Sequence, residues 1–167
     1  MKIKKSFITN SSSSSFIVAW PFKIETKKHI EKFVDKKYSQ TILNDVVHQY
    51  PLRKSDEDTL RELTNEISDG YIPELDYDKL KDKLCRREGI SIHELYDNPT
   101  WHRQFFKEID NKTHTVAYLK ASEFLRGISD ESYIYIFEYA DDSGEYFAEM
   151  EHGDIFKKLP HIKINKH

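Results

Sequence analysis

Apolar positions along the chain change their period twice. Near the start, two apolar, β-prone runs, Phe7-Ile8-Thr9 and Phe16-Ile17-Val18-Ala19-Trp20, enclose the tract Ser11–Ser15. A serine linker has polar flanks. Here both flanks favour burial, which predicts a loop pinned inside a fold, joining strands Met1–Thr9 and Phe16–Phe22 as a hairpin. Pro21 confines the second strand to an edge or an end.

From Thr26 the period becomes helical. Ile30, Phe33, Val34 and Tyr38 share a face behind an N-cap Thr26, and Ile42, Leu43, Val46, Val47 and Tyr50 form a short helix stopped by Pro51. Ser55 with its trailing acids opens a helix that Asp69-Gly70 closes. Asp76 opens another through Leu80 and Leu84, ended by Gly89. Ser91-Ile92-His93-Glu94 is a capping box, and Asn98-Pro99 starts a helix with Trp101, Phe105 and Ile109 on one face.

After Thr113 the pattern alternates. Thr115–Lys120, Tyr133–Tyr139, Tyr146–Glu151 and His161–Asn165 read as strands, with Asp141-Asp142-Ser143-Gly144 as a turn and 153–159 as one helical turn. The expected architecture is therefore α+β. It is a single domain over 1–167 whose mostly antiparallel sheet comes from the N-terminal hairpin and the C-terminal strands, with the helical middle packed on one face.

Composition narrows the setting. Ten Tyr and ten Phe against five Gly and five Pro favour an aromatic core over disorder, and the lone Cys85 has no disulfide partner in the chain. Lys2, Lys4 and Lys5 resemble the start of a signal peptide, but Thr9–Ser15 interrupts any apolar core for one, and no run suffices to span a membrane. The expectation is a cytoplasmic protein without a membrane partner. Charge is uneven: Ile128–Asp154 holds nine acids and no Lys or Arg, whereas Met1–Ser39 holds nine lysines. Either partner surfaces or mutual neutralisation within the fold explains this.

Candidate chemistry is sparse. In a strand over 146–151, alternation places Glu149 and Glu151 on one face, and His161 and His167 share the polar face of the terminal strand. If those strands are neighbours, Glu149, Glu151, His152, His161 and His167 supply the carboxylate and imidazole ligands of a divalent-metal hydrolytic site. A solvated sheet face explains the same alternation. Asp141-Asp142-Ser143-Gly144-Glu145 lacks the twelve-residue calcium-loop pattern, and the serine tract lacks the glycines and lysine of a phosphate loop. Cys85, beside Leu84, reads as a small core residue. Lys27, Lys28, Lys32, Lys36 and Lys37 raise nucleic-acid contact, but Glu31 and Asp35 interleave with them and no recognition motif accompanies them.

The segment Phe7-Ile8-Thr9-Asn10-Ser11-Ser12-Ser13-Ser14-Ser15-Phe16 and the ending Glu151-His152-Gly153 … Leu159-Pro160-His161-Ile162 … His167 resemble a group of uncharacterised proteins of bacteria and their phages. Those proteins open with an Asn, serine-tract, Phe segment and close with a His-containing tail. The resemblance covers the two ends alone. It implies a bacterial or phage source and transfers no catalytic residue. With no complete catalytic motif, the leading expectation is a small cytosolic phage- or mobile-element-associated binding protein that acts on a macromolecular partner, a protein, through its charged, aromatic-rich surface and without a cofactor. The alternative is a metal-dependent hydrolase or nuclease.

Overall fold

The structure, a computed structural model, describes residues 12–166. At its centre lies β1 (Ser13–Trp20), whose residues are buried on both faces from Ser14 onward. Ser13, Ser14 and Ser15 belong to this strand, which corrects the expected serine loop. Buried serines are tolerated here because glutamates meet their hydroxyls: Ser14 Oγ donates to Glu151 and Ser15 Oγ to Glu66. The expected partner strand Met1–Thr9 lies outside the described residues. Pro21 ends β1, and the strand sits in the middle of the sheet, not at its edge.

Helices α1 (Lys27–Glu31) and α2 (Ser39–Val46) follow, then the two-residue β2 (Leu52–Arg53) and α3 (Thr59–Ser68). Next come α4 (Tyr77–Glu88), α5 (Ile92–Asp97) and the 29-residue α6 (Pro99–Gly127). The chain closes with β3 (Tyr133–Ala140), α7 (Glu145–His152) and β4 (His161–Asn165). Sheet order is β2-β3-β1-β4, antiparallel throughout, with Phe16 opposite Phe137 on one side and Lys163 on the other. Beyond the short β2, the Gln49 side chain accepts from Ile136 N and donates to Ile136 O, continuing the ladder along β3.

The α+β class and the antiparallel sheet are as expected, but helices cover both faces. Phe16, Val18, Trp20, Tyr135, Phe137 and Tyr139 meet α1, α2 and α7 through Ile30, Ile42, Val46 and Met150. On the other face Ile17, Ala19, Ile134 and Ile164 meet α3 and α6 through Leu63, Ile67, Ala117 and Ala121. The two faces of β1 alternate in this way because successive strand side chains point to opposite sides.

Two expected strands are helical. Residues 115–120 continue α6, where Ala117 and Ala121 stack at helical spacing against the sheet. Residues 146–151 lie in α7, which starts behind Gly144 at φ 115°. Tyr146, Ala148 and Met150 alternate as a strand would, but Tyr146, Phe147 and Met150 reach the same core at i, i+1, i+4, the spacing of a helix, and the good helix formers Glu, Ala and Met favour it.

The caps behave as their residues dictate. Thr26, Asp76 and Asn98 accept N-terminal amide hydrogens, Ser91 and Glu94 complete the capping box, and Gly89 adopts φ 67°. At 1.5 Å per residue α6 runs about 43 Å. Its C-terminal half lies on the sheet, and its N-terminal half carries a lobe with α4 and α5 around Leu84, Leu95 and Phe105. Among the described residues no helix is long and apolar enough to cross a membrane.

Candidate functional site

Three elements converge where β1 begins. Asp141 follows β3 in a 3-10 turn, Glu151 and His152 occupy the last turn of α7, and Ser12 and Ser14 enter β1. The Ser12 amide donates to Asp141 Oδ1 at 3.0 Å and its hydroxyl to Oδ2 at 2.9 Å. These bonds hold the Asp141 carboxyl below its ordinary pKa, the Ser12 hydroxyl contributing most and His152 adding a smaller effect.

Glu151 is 1% exposed. Its Oε1 accepts from Ser14 Oγ at 2.8 Å, and the same hydroxyl lies 3.2 Å from Asn165 Oδ1. One hydroxyl proton serves one acceptor well, so Asn165 fits best with its amide turned to donate to Ser14 while Ser14 donates to Glu151. Glu151 Oε2 is buried and receives no hydrogen bond. It lies 2.6 Å from His152 Nε2, which is also 3.5 Å from Asp141 Oδ2 and 3.4 Å from Ser12 Oγ. Asp141, Glu151 and His152 thus present ligand atoms all within 4.8 Å of one another.

Ser12, His152 and Asp141 are the residue types of a nucleophilic triad, but their geometry is not that of one. A triad places the serine and the carboxylate on opposite ring nitrogens so that the imidazole relays a proton. Here both oxygens face Nε2.

Of the five metal candidates read from sequence, Glu151 and His152 come together. Glu149 points elsewhere on α7, accepting from Tyr38 Oη at 2.9 Å and pairing with Lys37 at 3.1 Å. The Tyr38 hydrogen bond and then Lys37 lower its pKa. His161 places Nδ1 2.9 Å from Leu159 O and Nε2 3.6 Å from Asp154. His167 lies outside the described residues. The helical form of α7 accounts for the split, because residues 149 and 151 share a strand face but diverge by about 200° around a helix. Asp141 reads from sequence only as part of a turn, and the structure brings it to Glu151 and His152. From β4 the residue that reaches this neighbourhood is Asn165, through Ser14.

A second surface stands on the lobe. Tyr96 is 51% and Phe106 50% exposed. The His102 ring lies between them, 6.5 Å from Tyr96 and edge-on to Phe106 at 4.7 Å, and Lys81 Nζ sits 5.2 Å from the Tyr96 centroid. Phe105, next to Phe106, turns inward as part of the lobe core, anchoring this part of α6.

Comparison with protein-family models, curated proteins and solved structures finds no match for the chain.

Proposed function

We propose that the protein is an interaction module that presents its α4–α6 lobe to a protein partner. The observation that supports this reading is the exposed ring series Tyr96, His102 and Phe106. Rigid aromatic side chains lose little conformational freedom on binding and bury a large area, which is why they anchor protein interfaces. Four of the nine large apolar side chains exposed among the described residues, Tyr77, Ile92, Tyr96 and Phe106, lie on this lobe, and Tyr118 and Leu119 follow on the half of α6 that lies on the sheet. Such a concentration marks contact surfaces.

Charge favours protein over nucleic acid. Between Asp76 and Gly127 ten Lys and Arg face nine Asp and Glu, far from the cationic excess that phosphate binding uses. The likeness of the two chain ends to bacterial and phage proteins makes the bacterial cytoplasm the setting we assign to this interaction.

A photoreactive amino acid placed at Phe106, with one at exposed Val47 as a control, tests the reading in bacterial cells. A discrete adduct is expected from position 106 alone, and it should vanish when Tyr96→Ser and His102→Ser are added. Equal adducts at both positions, or none at 106, would overturn the assignment. The alternative, a metal-dependent hydrolase or nuclease, is favoured by the convergence of Asp141, Glu151 and His152, and it requires first that this cluster bind a cation.

A further inference from the structure

We propose that Asp141, Glu151 and His152 form a binding site for a divalent transition-metal ion of the zinc and manganese class. The acidic cluster alone would not carry this. The deciding observation is Glu151 Oε2, buried and without a hydrogen bond, in a cluster whose three ligand atoms all lie within 4.8 Å of one another.

A buried carboxylate oxygen with no donor is costly, and proteins neutralise such a group with a proton, a cationic side chain or a metal. His152 is the available side-chain cation, but its contact with Oε2 lacks hydrogen-bond geometry even at 2.6 Å. Its Nε2 also faces Asp141 Oδ2 and Ser12 Oγ, and a single N–H serves one of these oxygens at a time. A metal ion accepts from all the ligand atoms at once.

The dimensions agree. Ligand atoms held about 2.1 Å from one centre lie roughly 3.0–3.4 Å apart in octahedral or tetrahedral arrangements. The Asp141 to His152 separation of 3.5 Å lies just above that range, and opening the 2.6 Å Glu151 to His152 contact takes a shift of a few tenths of an ångström. His152 can supply that shift, because its side chain is 58% exposed.

The carboxylates are also oriented as ligands are. Ser14 holds the far oxygen of Glu151, and the Ser12 amide and hydroxyl hold Asp141, the outer hydrogen bonds that fix carboxylates toward an ion. Two carboxylates balance a 2+ charge, and the imidazole nitrogen selects borderline transition metals over calcium or magnesium. Three protein ligands beside an exposed histidine leave room for water to complete the coordination.

The test uses the full chain, free of any histidine tag and stripped with a chelator. Isothermal titration with zinc chloride, and separately with manganese chloride, is expected to show one equivalent bound and a rise in melting temperature. Glu151→Gln and His152→Ala should each lose that equivalent, whereas Glu149→Gln and His161→Ala should keep it. Absence of binding by the wild type, or binding that survives both Glu151→Gln and His152→Ala, would overturn the site. Should those variants fail to fold, paramagnetic broadening by manganese decides on the wild type: loss of the Ser12 amide and His152 ring signals first supports the site, and loss elsewhere refutes it. Binding here leaves the lobe proposal untouched, since crosslinking at Phe106 reads a different surface.

Discussion

Phe16→Ala removes a ring from the middle of the aromatic layer between the sheet and α7. Phe16 is 2% exposed, with Phe156 at 5.4 Å, Tyr139 at 6.1 Å and the Lys163 ammonium 5.8 Å from its centroid. Buried Phe→Ala changes cost about 3–5 kcal/mol, more where neighbours cannot collapse into the void. Collapse is hindered here. Phe137 is stacked against both Phe156 and Tyr139, and Tyr139 is tied by its hydroxyl to Asp45. A loss of about 4 kcal/mol is therefore expected, a large part of a typical stability of roughly 5–15 kcal/mol. With a urea slope of about 2 kcal/mol/M, the unfolding midpoint should fall by about 2 M. The matched control is Phe106→Ala, a half-exposed ring, with an expected change within about 0.5 kcal/mol. Equal losses for the two variants, or a loss below about 1 kcal/mol at Phe16, would refute the placement of Phe16 in a rigid core.

Three further outcomes are expected. Gly70→Ala should cost about 1–3 kcal/mol in thermal or urea melts, because an added Cβ meets the Ile164 side chain and lies 2.9 Å from Asn165 O. Burial holds the Asp45 carboxyl above its ordinary value of 3.8 despite the Tyr139 hydrogen bond, so the folded state binds this proton more tightly and loses stability as pH rises from about 3.8 through the folded value. Asp45→Asn should flatten that fall in urea melts taken from pH 3 to 7. Glu149 has the opposite sign: its lowered pKa adds stability above 4.5 that is lost as pH falls through the folded value, and Tyr38→Phe should move its carboxyl titration upward in an NMR titration.

Local chemistry was readable in the sequence where one or two residues decide it. Thr26, Asp76, Gly89, Asn98 and the Ser91–Glu94 pair mark helix ends because capping depends on near neighbours alone. Strands Tyr133–Ala140 and His161–Asn165 were visible through their β-branched and aromatic residues. Where the outcome rested on distant partners, local pattern failed. Ser13–Ser15 look like a loop until Glu66 and Glu151 are placed beside Ser15 and Ser14. Thr115–Lys120 alternates as a strand would, yet Ala117 and Ala121 need the small-residue contact of a helix against the sheet. The candidate site was half legible for the same reason. Glu151 and His152 are adjacent in sequence, but Asp141 joins them through the end of β3 and the Ser12 bonds, a relation that no spacing displays.

The central position of β1 also dictates when this protein can be complete. Its neighbours are β3 and β4, with Ser13 opposite Ala140 and Ser14 opposite Asn165. On a ribosome adding roughly 5–20 residues per second, β1 waits on the order of 5–20 s before β3 exists to pair with it. During that interval Phe16–Trp20 presents two apolar faces and two unpaired edges. Pairings so distant in sequence close slowly, since loop entropy is lost before the ladder rewards it. The helices made in between can form early, but the sheet closes only once the last strand arrives.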